Sequence, residues 1–248
     1  MKIAIFCPHK LIELLRRSLS LEVDEVLFVY EEEKIPLDNE YRFVYHRDAS
    51  YSFLEEHQIK LAIVYGWNYL IPVKTLTQID FYNIHTSLLP RYRGPYPVVF
   101  QLLNRESKIG ITIHKMDETF DTGDIYLQKF IEVDYSNLAY LEVNIFRNVK
   151  RYIMQFINDY LNNNISLIPQ SNENASYFSK NDLINRLDSK CDLNEFIWMN
   201  KIFTIYKPFK VLINGKVYII ESFSMQPENG FVKFQLKDTI IYLNLISI

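Results

Sequence analysis

Asn83 and His85 stand two residues apart at the end of an apolar run. In an extended strand that spacing puts both side chains on one face. A loop containing Pro90 and Gly94 follows at once, and a second polar turn, Asp121-Thr122-Gly123-Asp124, comes later in the chain. An amide, an imidazole and a carboxylate that meet in space can bind a developing oxyanion, move a proton and orient the imidazole. Taken alone, His85 reads as a hydrogen-bonded core histidine. Taken alone, Asp121 reads as a turn residue, because Asp-Thr-Gly-Asp suits a turn. The combination of the three is what points to catalysis. His114 alternates within a strand pattern and reads as structural or exposed.

The surrounding elements decide whether those groups can meet. Lys2–Cys7, Glu25–Tyr30 and Leu61–Tyr65 read as strands, with Phe43–Tyr45 a weaker one. The apolar spacing of Leu11, Leu14, Leu15 and Leu19 predicts a helix over about Lys10 to Leu19, and Ser52–Gln58 reads as a second. Tyr82–His85 is a further short strand, Pro97–Leu103 a helix, and Ile109–His114 and Ile125–Val133 strands on either side of the Asp121 turn. From Leu138 to about Leu161 apolar residues recur at three- and four-residue spacing, which marks a long helix with a buried stripe. Strand–helix alternation in the first half predicts an α/β domain with a mostly parallel, Rossmann-like sheet. Ligands of such sheets sit beyond the carboxyl ends of the strands, where Asn83, His85 and the residues after Tyr65 fall.

The second part of the chain differs. Ser171–Ser176 is polar and linker-like. Phe209–Ile213, Asn214-Gly215 and Lys216–Glu221 form a hairpin signal, since Asn-Gly suits a type I′ turn. Pro227-Glu228-Asn229-Gly230 and the alternation after it add further strands. Residues 1–165 are therefore expected as the main domain, and 166–248 as a small antiparallel β-hairpin region whose apolar faces need a partner surface.

Composition narrows the function classes. A formal net charge of −3 offers no electrostatic footprint for nucleic acid or for an anionic membrane. Cys7 and Cys191 are far apart and have no His or Cys neighbours at ligand spacing, so they read as reduced structural thiols; no metal is expected. The opening residues Met1–Cys7 lack an h-region, and no run reaches the length of a membrane span, so a cytoplasmic location is expected.

Several motifs together resemble the formyltransferases that use 10-formyltetrahydrofolate. They are Asn83-Ile84-His85 with Ser87-Leu88-Leu89-Pro90 and Arg93-Gly94, then Gly110-Ile111-Thr112-Ile113-His114, Met116-Asp117 and Asp121-Thr122-Gly123-Asp124-Ile125. The resemblance covers Leu61 to Val133 well, and the interval from His85 to Asp121 is similar to the family's spacing between its catalytic His and Asp. It implies the formyltransferase fold and transfer of a formyl group from a folate nitrogen to an amine. Asn83, His85 and Asp121 would be catalytic, with Asn83 donating to the formyl oxygen. It also implies a pterin pocket lined by Tyr65, Gly66, Trp67 and Leu89, with Asp117, Thr122 and Asp124 on the folate loop. The plainer readings stay open: Trp67 closing the core, and Asp117 and Asp124 as solvated turn carboxylates. Arg91 and Arg93 could face a substrate phosphate, and Tyr92 and Tyr96 could stack on a base or simply pack.

The branches of that family differ outside the common motifs. Glycinamide ribonucleotide transformylases carry a Gly-rich phosphate loop where this chain has Cys7-Pro8-His9-Lys10. Formyltetrahydrofolate hydrolases carry an amino-terminal regulatory domain, which is not expected here. Methionyl-tRNA formyltransferases carry a basic carboxyl-terminal domain, whereas from Ser166 onward this chain has nine Lys plus Arg against eight Asp plus Glu. The segments Ser176–Leu183 and Tyr206-Lys207-Pro208-Phe209 resemble the nucleotide-sugar N-formyltransferases, though Pro95 and Val98 depart from their commonest pattern. The implied acceptor is the amine of a dTDP-linked amino-dideoxy sugar, such as dTDP-4-amino-4,6-dideoxyglucose or a 3-amino analogue, for surface polysaccharide such as O-antigen. The implied partners are that nucleotide sugar, folate and a second copy of the chain in a homodimer. The alternatives are a methionyl-tRNA or small-metabolite formyltransferase and, from another class, a non-catalytic folate- or nucleotide-binding module.

Overall fold

The computed structural model describes residues 1–8, 11–12, 15, 25–30, 42–45, 51–67, 71–184, 186–206 and 208–247. Of the helix expected over Lys10–Leu19, Leu11, Ile12 and Leu15 are described, all three helical and fully buried; the rest of it lies outside the described residues, as do His9, Asn68 and Lys207. Contacts divide the chain into two compact units, Met1–Arg93 with Ser107–Ser176, and Gly94–Glu106 with Tyr177–Ile248.

The first unit is built on a seven-stranded sheet in the order β3-β2-β1-β4-β5-β6-β7. The strands are β1 (Lys2–Phe6), β2 (Glu25–Tyr30), β3 (Arg42–Tyr45), β4 (Ile59–Tyr65), β5 (Asp80–His85), β6 (Lys108–Lys115) and β7 (Ile125–Glu132). The first five pair in parallel; β5–β6 and β6–β7 are antiparallel. The expected mostly parallel α/β sheet is therefore present. Helices α1 (Tyr51–Glu56) and α2 (Val73–Leu76) join successive strands. One core cluster gathers Ala4, Phe6, Leu27, Val29, Ala62, Val64 and Phe81.

The expected long helix is α4 (Leu138–Leu161), capped by Asn137, whose side chain accepts from the Tyr140 N–H. Its buried stripe runs Leu138, Leu141, Ile145, Val149, Ile153, Phe156 and Ile157. Phe156 lies 4.5 Å from the Tyr82 ring, and the Tyr160 hydroxyl donates to Asp80 at 2.7 Å. Lys115 holds the other oxygen of Asp80 at 2.8 Å. Strand β5 is thus gripped on the Tyr82 side by α4. Alternation leaves Phe81, Asn83 and His85 on the opposite side.

Two glycines let the loops that carry chemistry lie directly on β6. A Cβ on Gly110 would sit 2.0 Å from the Leu88 nitrogen, and one on Gly123 would sit 1.8 Å from the Lys115 carbonyl oxygen. The loop after β5 and the Asp121 turn are therefore laid against the same strand by backbone contact.

The second unit contains α3 (Pro97–Leu103), α5 (Lys180–Ile184), α6 (Leu193–Tyr206) and a four-stranded antiparallel sheet. Its strands are β8 (Lys210–Ile213), β9 (Lys216–Ser224), β10 (Val232–Gln235) and β11 (Ile240–Ser247), in the order β10-β11-β9-β8. Asn214 and Gly215 both have positive φ, 50° and 77°, as a type I′ hairpin requires. The expected hairpin region is thus a full sheet, and α6 adds a helix that the sequence reading left out. Phe196 of α6 meets Phe223 edge-on at 4.9 Å, and Phe203 stacks on Phe209 at 4.6 Å.

The units divide the chain differently from the expected break after residue 165. Residues 166–176 stay with the first unit, where Ile168 bridges Ile125 and Ser176 bonds the Pro90–Arg93 segment. Residues 94–106 join the second, where Phe100 stacks on Phe178 at 4.4 Å and Arg105 lies 4.2 Å over the Trp198 ring.

Substituting Gly110→Ala forces the Ser87–Leu88 backbone off β6. The expected result is a lower urea midpoint at unchanged m-value, equivalent to about 1–3 kcal/mol, read by equilibrium unfolding.

Candidate active site

Strand register makes the first half of the site. In the antiparallel β5–β6 pair, Asn83 faces His114 and His85 faces Thr112. Directly opposed residues share a face, so Asn83, His85, Thr112 and His114 form one polar patch on an otherwise apolar sheet. The patch extends to β7, where Thr112 faces Gln128.

That patch ties down the loop leaving β5. The Thr112 hydroxyl donates to the Ser87 carbonyl at 2.6 Å and accepts from the Leu89 N–H at 3.3 Å. Gln128 donates to the Leu89 carbonyl at 2.7 Å, and the Ser87 hydroxyl donates to the Arg91 carbonyl at 2.6 Å. The loop then delivers the Tyr92 carbonyl to His85, 2.7 Å from Nε2. A carbonyl can only accept, so Nε2 carries the proton and the neutral imidazole presents a bare Nδ1.

Asp121 enters from the turn after β6. Its backbone is left-handed, with φ of 58°, a conformation that Asp tolerates better than most residues. Its Oδ1 is the common point of the cluster. The Asn83 Nδ2 donates to it at 3.1 Å, His85 Nδ1 lies 3.5 Å away and His114 Nε2 also 3.5 Å away. The three residues expected to act together are brought together, in a nearly closed setting: the Asp121 side chain is 11% exposed and that of His85 6%. Burial pushes the His85 imidazole below the ordinary histidine range. The Asp121 charge and the Tyr92 carbonyl oppose that shift, and His114 reinforces it.

His114 belongs to this cluster, although the sequence pattern read it as structural or exposed. Its side chain is 2% exposed and its Nε2 lies 3.3 Å from Asn83 Nδ2. Its Nδ1 faces the Lys115 carbonyl at 3.1 Å, so Nδ1–H donates there and Nε2 is left to accept from Asn83. The strand register is what reveals it: in antiparallel β5–β6, His114 is paired directly with Asn83 and shares the face of Thr112. Gln170 is the second residue not anticipated. It lies in a polar stretch with no periodicity, yet its Nε2 donates to the carbonyls of Asp121 and Gly123 at 3.1 and 3.0 Å.

The residues expected around the trio have varied fates. The Tyr92 ring is buried, at 5% exposure, and the residue contributes its carbonyl, so a stacking surface for a base is not what it offers. The Arg93 guanidinium donates through Nε and Nη2 to Gln170 at 3.0 and 2.5 Å, and through Nη1 to Asn172 at 3.1 Å. Three of its five N–H donors are therefore engaged within the protein. Arg91 lies over the Tyr92 ring at 5.2 Å. Tyr96 precedes α3 in the second unit with a left-handed backbone, φ 60°. Trp67 packs edge-on against Phe6 at 5.1 Å and joins the core cluster, the plainer of its two readings. Tyr65 meets Phe146 at 6.2 Å, Gly66 has φ of 60°, and the Leu89 side chain is buried. Asp117 accepts from Thr119 and from the Thr122 hydroxyl at 2.8 Å, so this pair braces the Asp121 turn. Asp124 is exposed and its carbonyl accepts from the Lys115 N–H at 2.8 Å.

Chemically, the cluster offers an amide donor, an imidazole with one bare nitrogen and a carboxylate within one small volume, the donor set that acyl transfer to an amine needs. Among the described residues no group of His, Cys, Asp and Glu is arranged to hold a metal ion, and no helix is long and apolar enough to cross a membrane.

Comparison with known proteins agrees with this chemistry. Methionyl-tRNA formyltransferase of Thermosipho melanesiensis is 32% identical over 205 residues, covering 73% of this chain and 66% of that protein. The chain spans about half to two thirds of the length of the curated relatives it matches. Among solved structures, a 4-N formyltransferase from Francisella tularensis superposes with a TM-score of 0.69 at 24% identity, over 88% of this chain and 96% of that one. Methionyl-tRNA formyltransferase from Clostridium thermocellum gives 0.64 at 15% identity over the full length of both. These likenesses establish the fold. The family model described as formyl transferase matches residues 13–143, more than half of the 248-residue chain, and the protein belongs to that family.

Proposed function

We propose that this protein transfers a formyl group from 10-formyltetrahydrofolate to the amine of a nucleotide-linked amino sugar. The observation that carries the transfer chemistry is the convergence of Asn83 and His85 on the Asp121 carboxylate. The folate supplies an activated formyl group on nitrogen. Asn83 donates an N–H to the formyl oxygen as negative charge grows there. Its two N–H groups are directed at Asp121 and His114 in the structure, and the longer bond, 3.3 Å to His114, is the one exchanged on substrate binding. The His85–Asp121 pair takes up the proton that the attacking amine loses. His85 receives it at Nδ1, its bare nitrogen, and the Asp121 charge stabilises the imidazolium. As the tetrahedral intermediate collapses, the bond between the formyl carbon and the folate nitrogen breaks and that proton passes to the nitrogen, so tetrahydrofolate leaves.

Support for a sugar acceptor comes from the charge balance of residues 166–248, nine basic against eight acidic side chains, a weak platform for tRNA phosphates. A second reading, formylation of methionyl-tRNA, has the 32% identical Thermosipho relative behind it. A homodimer and a cytoplasmic site of action complete the proposal.

Three outcomes are expected. Asn83→Ala lowers kcat by about 10²–10³, the size of a lost oxyanion donor, and His85→Ala and Asp121→Asn lose most turnover while remaining folded by circular dichroism at the assay temperature; near-wild-type rates in any of them would refute the assignment. The pH profile of kcat/KM falls on the acid side as His85 is protonated, with a midpoint below about 6.5. Because the Asp121 charge favours imidazolium, the residual activity of Asp121→Asn has its acid limb at still lower pH. In parallel assays with 10-formyltetrahydrofolate, dTDP-linked 3- and 4-amino-dideoxy sugars are formylated and charged initiator tRNA is not, as read by mass spectrometry; the reverse pattern selects the second reading.

A further inference from the structure

We propose that Gln170 is a positioning residue for the transfer reaction: clamped by Arg93, it holds the Asp121 turn so that the carboxylate stays against His85. The inference rests on the proposed formyl-transfer function for its kinetic consequence, and on geometry alone for its structural one.

The amide of Gln170 is used at both ends. Its Oε1 accepts from Arg93 Nε at 3.0 Å and from Nη2 at 2.5 Å, and its Nε2 donates to the Asp121 carbonyl at 3.1 Å and the Gly123 carbonyl at 3.0 Å. A guanidinium only donates and a carbonyl only accepts, so the amide fits in one orientation only. Two carbonyls of one tight turn, two residues apart, converge on one nitrogen. That helps to fix Asp121 in its left-handed conformation, which costs Asp less than most residues but still gains from contacts that hold it.

The same contacts close a ring around the imidazole. His85 Nε2 bonds the Tyr92 carbonyl, and Tyr92 leads through one peptide to Arg93. Arg93 bonds Gln170, Gln170 bonds the Asp121 backbone, and the Asp121 carboxylate faces His85 Nδ1. The Arg93 arm is itself anchored, since its N–H donates to the Ser176 carbonyl at 2.8 Å and the Tyr92 N–H donates to the Ser176 hydroxyl at 2.8 Å. Both edges of the imidazole are therefore referred to one frame. Gln170 touches no reacting atom; it acts through Asp121.

The test uses Gln170→Leu, Gln170→Glu and Arg93→Lys in the full chain. Gln170→Glu keeps the acceptor toward Arg93, and with it the fold, but turns an oxygen on two carbonyls. The expected result is that Gln170→Glu melts like wild type yet loses about 10- to 100-fold in kcat, as does Gln170→Leu, with KM for both substrates nearly unchanged. Arg93→Lys, which cannot offer the planar fork, falls in between. Independently of any activity, histidine NMR titration of Gln170→Leu without substrate gives a lower His85 midpoint than wild type, because Asp121 is no longer held beside it; His114 and Asp121 are the charged or titratable groups facing that ring. If wild type transfers no formyl group but the His85 midpoint moves, the function reading fails and the clamp stands. A His85 midpoint unchanged in Gln170→Leu, or a kcat within about twofold of wild type in Gln170→Glu, overturns the clamp.

Discussion

One carboxylate oxygen organises this site. Asp121 Oδ1 is approached by an amide nitrogen and two imidazole nitrogens within 3.5 Å, in a setting almost closed to water. A charge so placed is costly to bury unless donors satisfy it. Here Asn83 supplies such a donor, so the amide proposed to bind the formyl oxygen is also the group that satisfies the buried carboxylate. The low exposure of His85 favours its neutral form, and the carboxylate beside it makes the protonated form reachable. A proton acceptor needs both tendencies in balance.

The sheet supplies the geometry that this oxygen needs. Parallel strands deliver Asn83 and His85 to one end, but a parallel neighbour would have sent β6 away through a crossover. The antiparallel turn of β6 brings His114 opposite Asn83 and leaves the chain at the amino end of β5. The Asp121 turn must then double back, and the close approach of Gly123 to Lys115 makes this feasible. The bracing by Asp117, Thr122 and Gln170 follows from the same need, since a turn that doubles back over a strand has few main-chain partners of its own.

Much of this was legible in the residues. The apolar runs of the strands and the long apolar stripe of Leu138–Leu161 correspond to elements found within two residues of their expected ends, except β9, which runs three residues further. Asn83 and His85 were legible because polar residues are unusual at the end of an apolar run, and Asp121 because its distance from His85 resembles the family's spacing. What escaped depends on long-range pairing. His114 looks ordinary until β6 is set against β5, and Gln170 has no local pattern because its partners lie 77 and 49 residues away. Helix Leu193–Tyr206 was passed over because Phe196, Ile197, Trp198, Met199, Ile202 and Phe203 crowd its length, blurring the one-sided stripe that marks an amphipathic helix. Tyr92 and Arg93 were weighed on residue type alone, which does not foretell that the Tyr92 ring is buried or that Arg93 bonds Gln170 and Asn172.

The stretch Gly94–Glu106 leaves the first unit directly after Arg93 and returns at Ser107, where the Ser107 carbonyl accepts from Val133 at 2.9 Å. The polypeptide thus passes between its two compact bodies at three points rather than one. A cut in the stretch before Tyr177 cannot yield an intact amino-terminal piece, because α3 would keep its covalent place while losing Phe178 beneath Phe100. The first of these crossings, at Arg93, lies one peptide from the carbonyl that bonds His85.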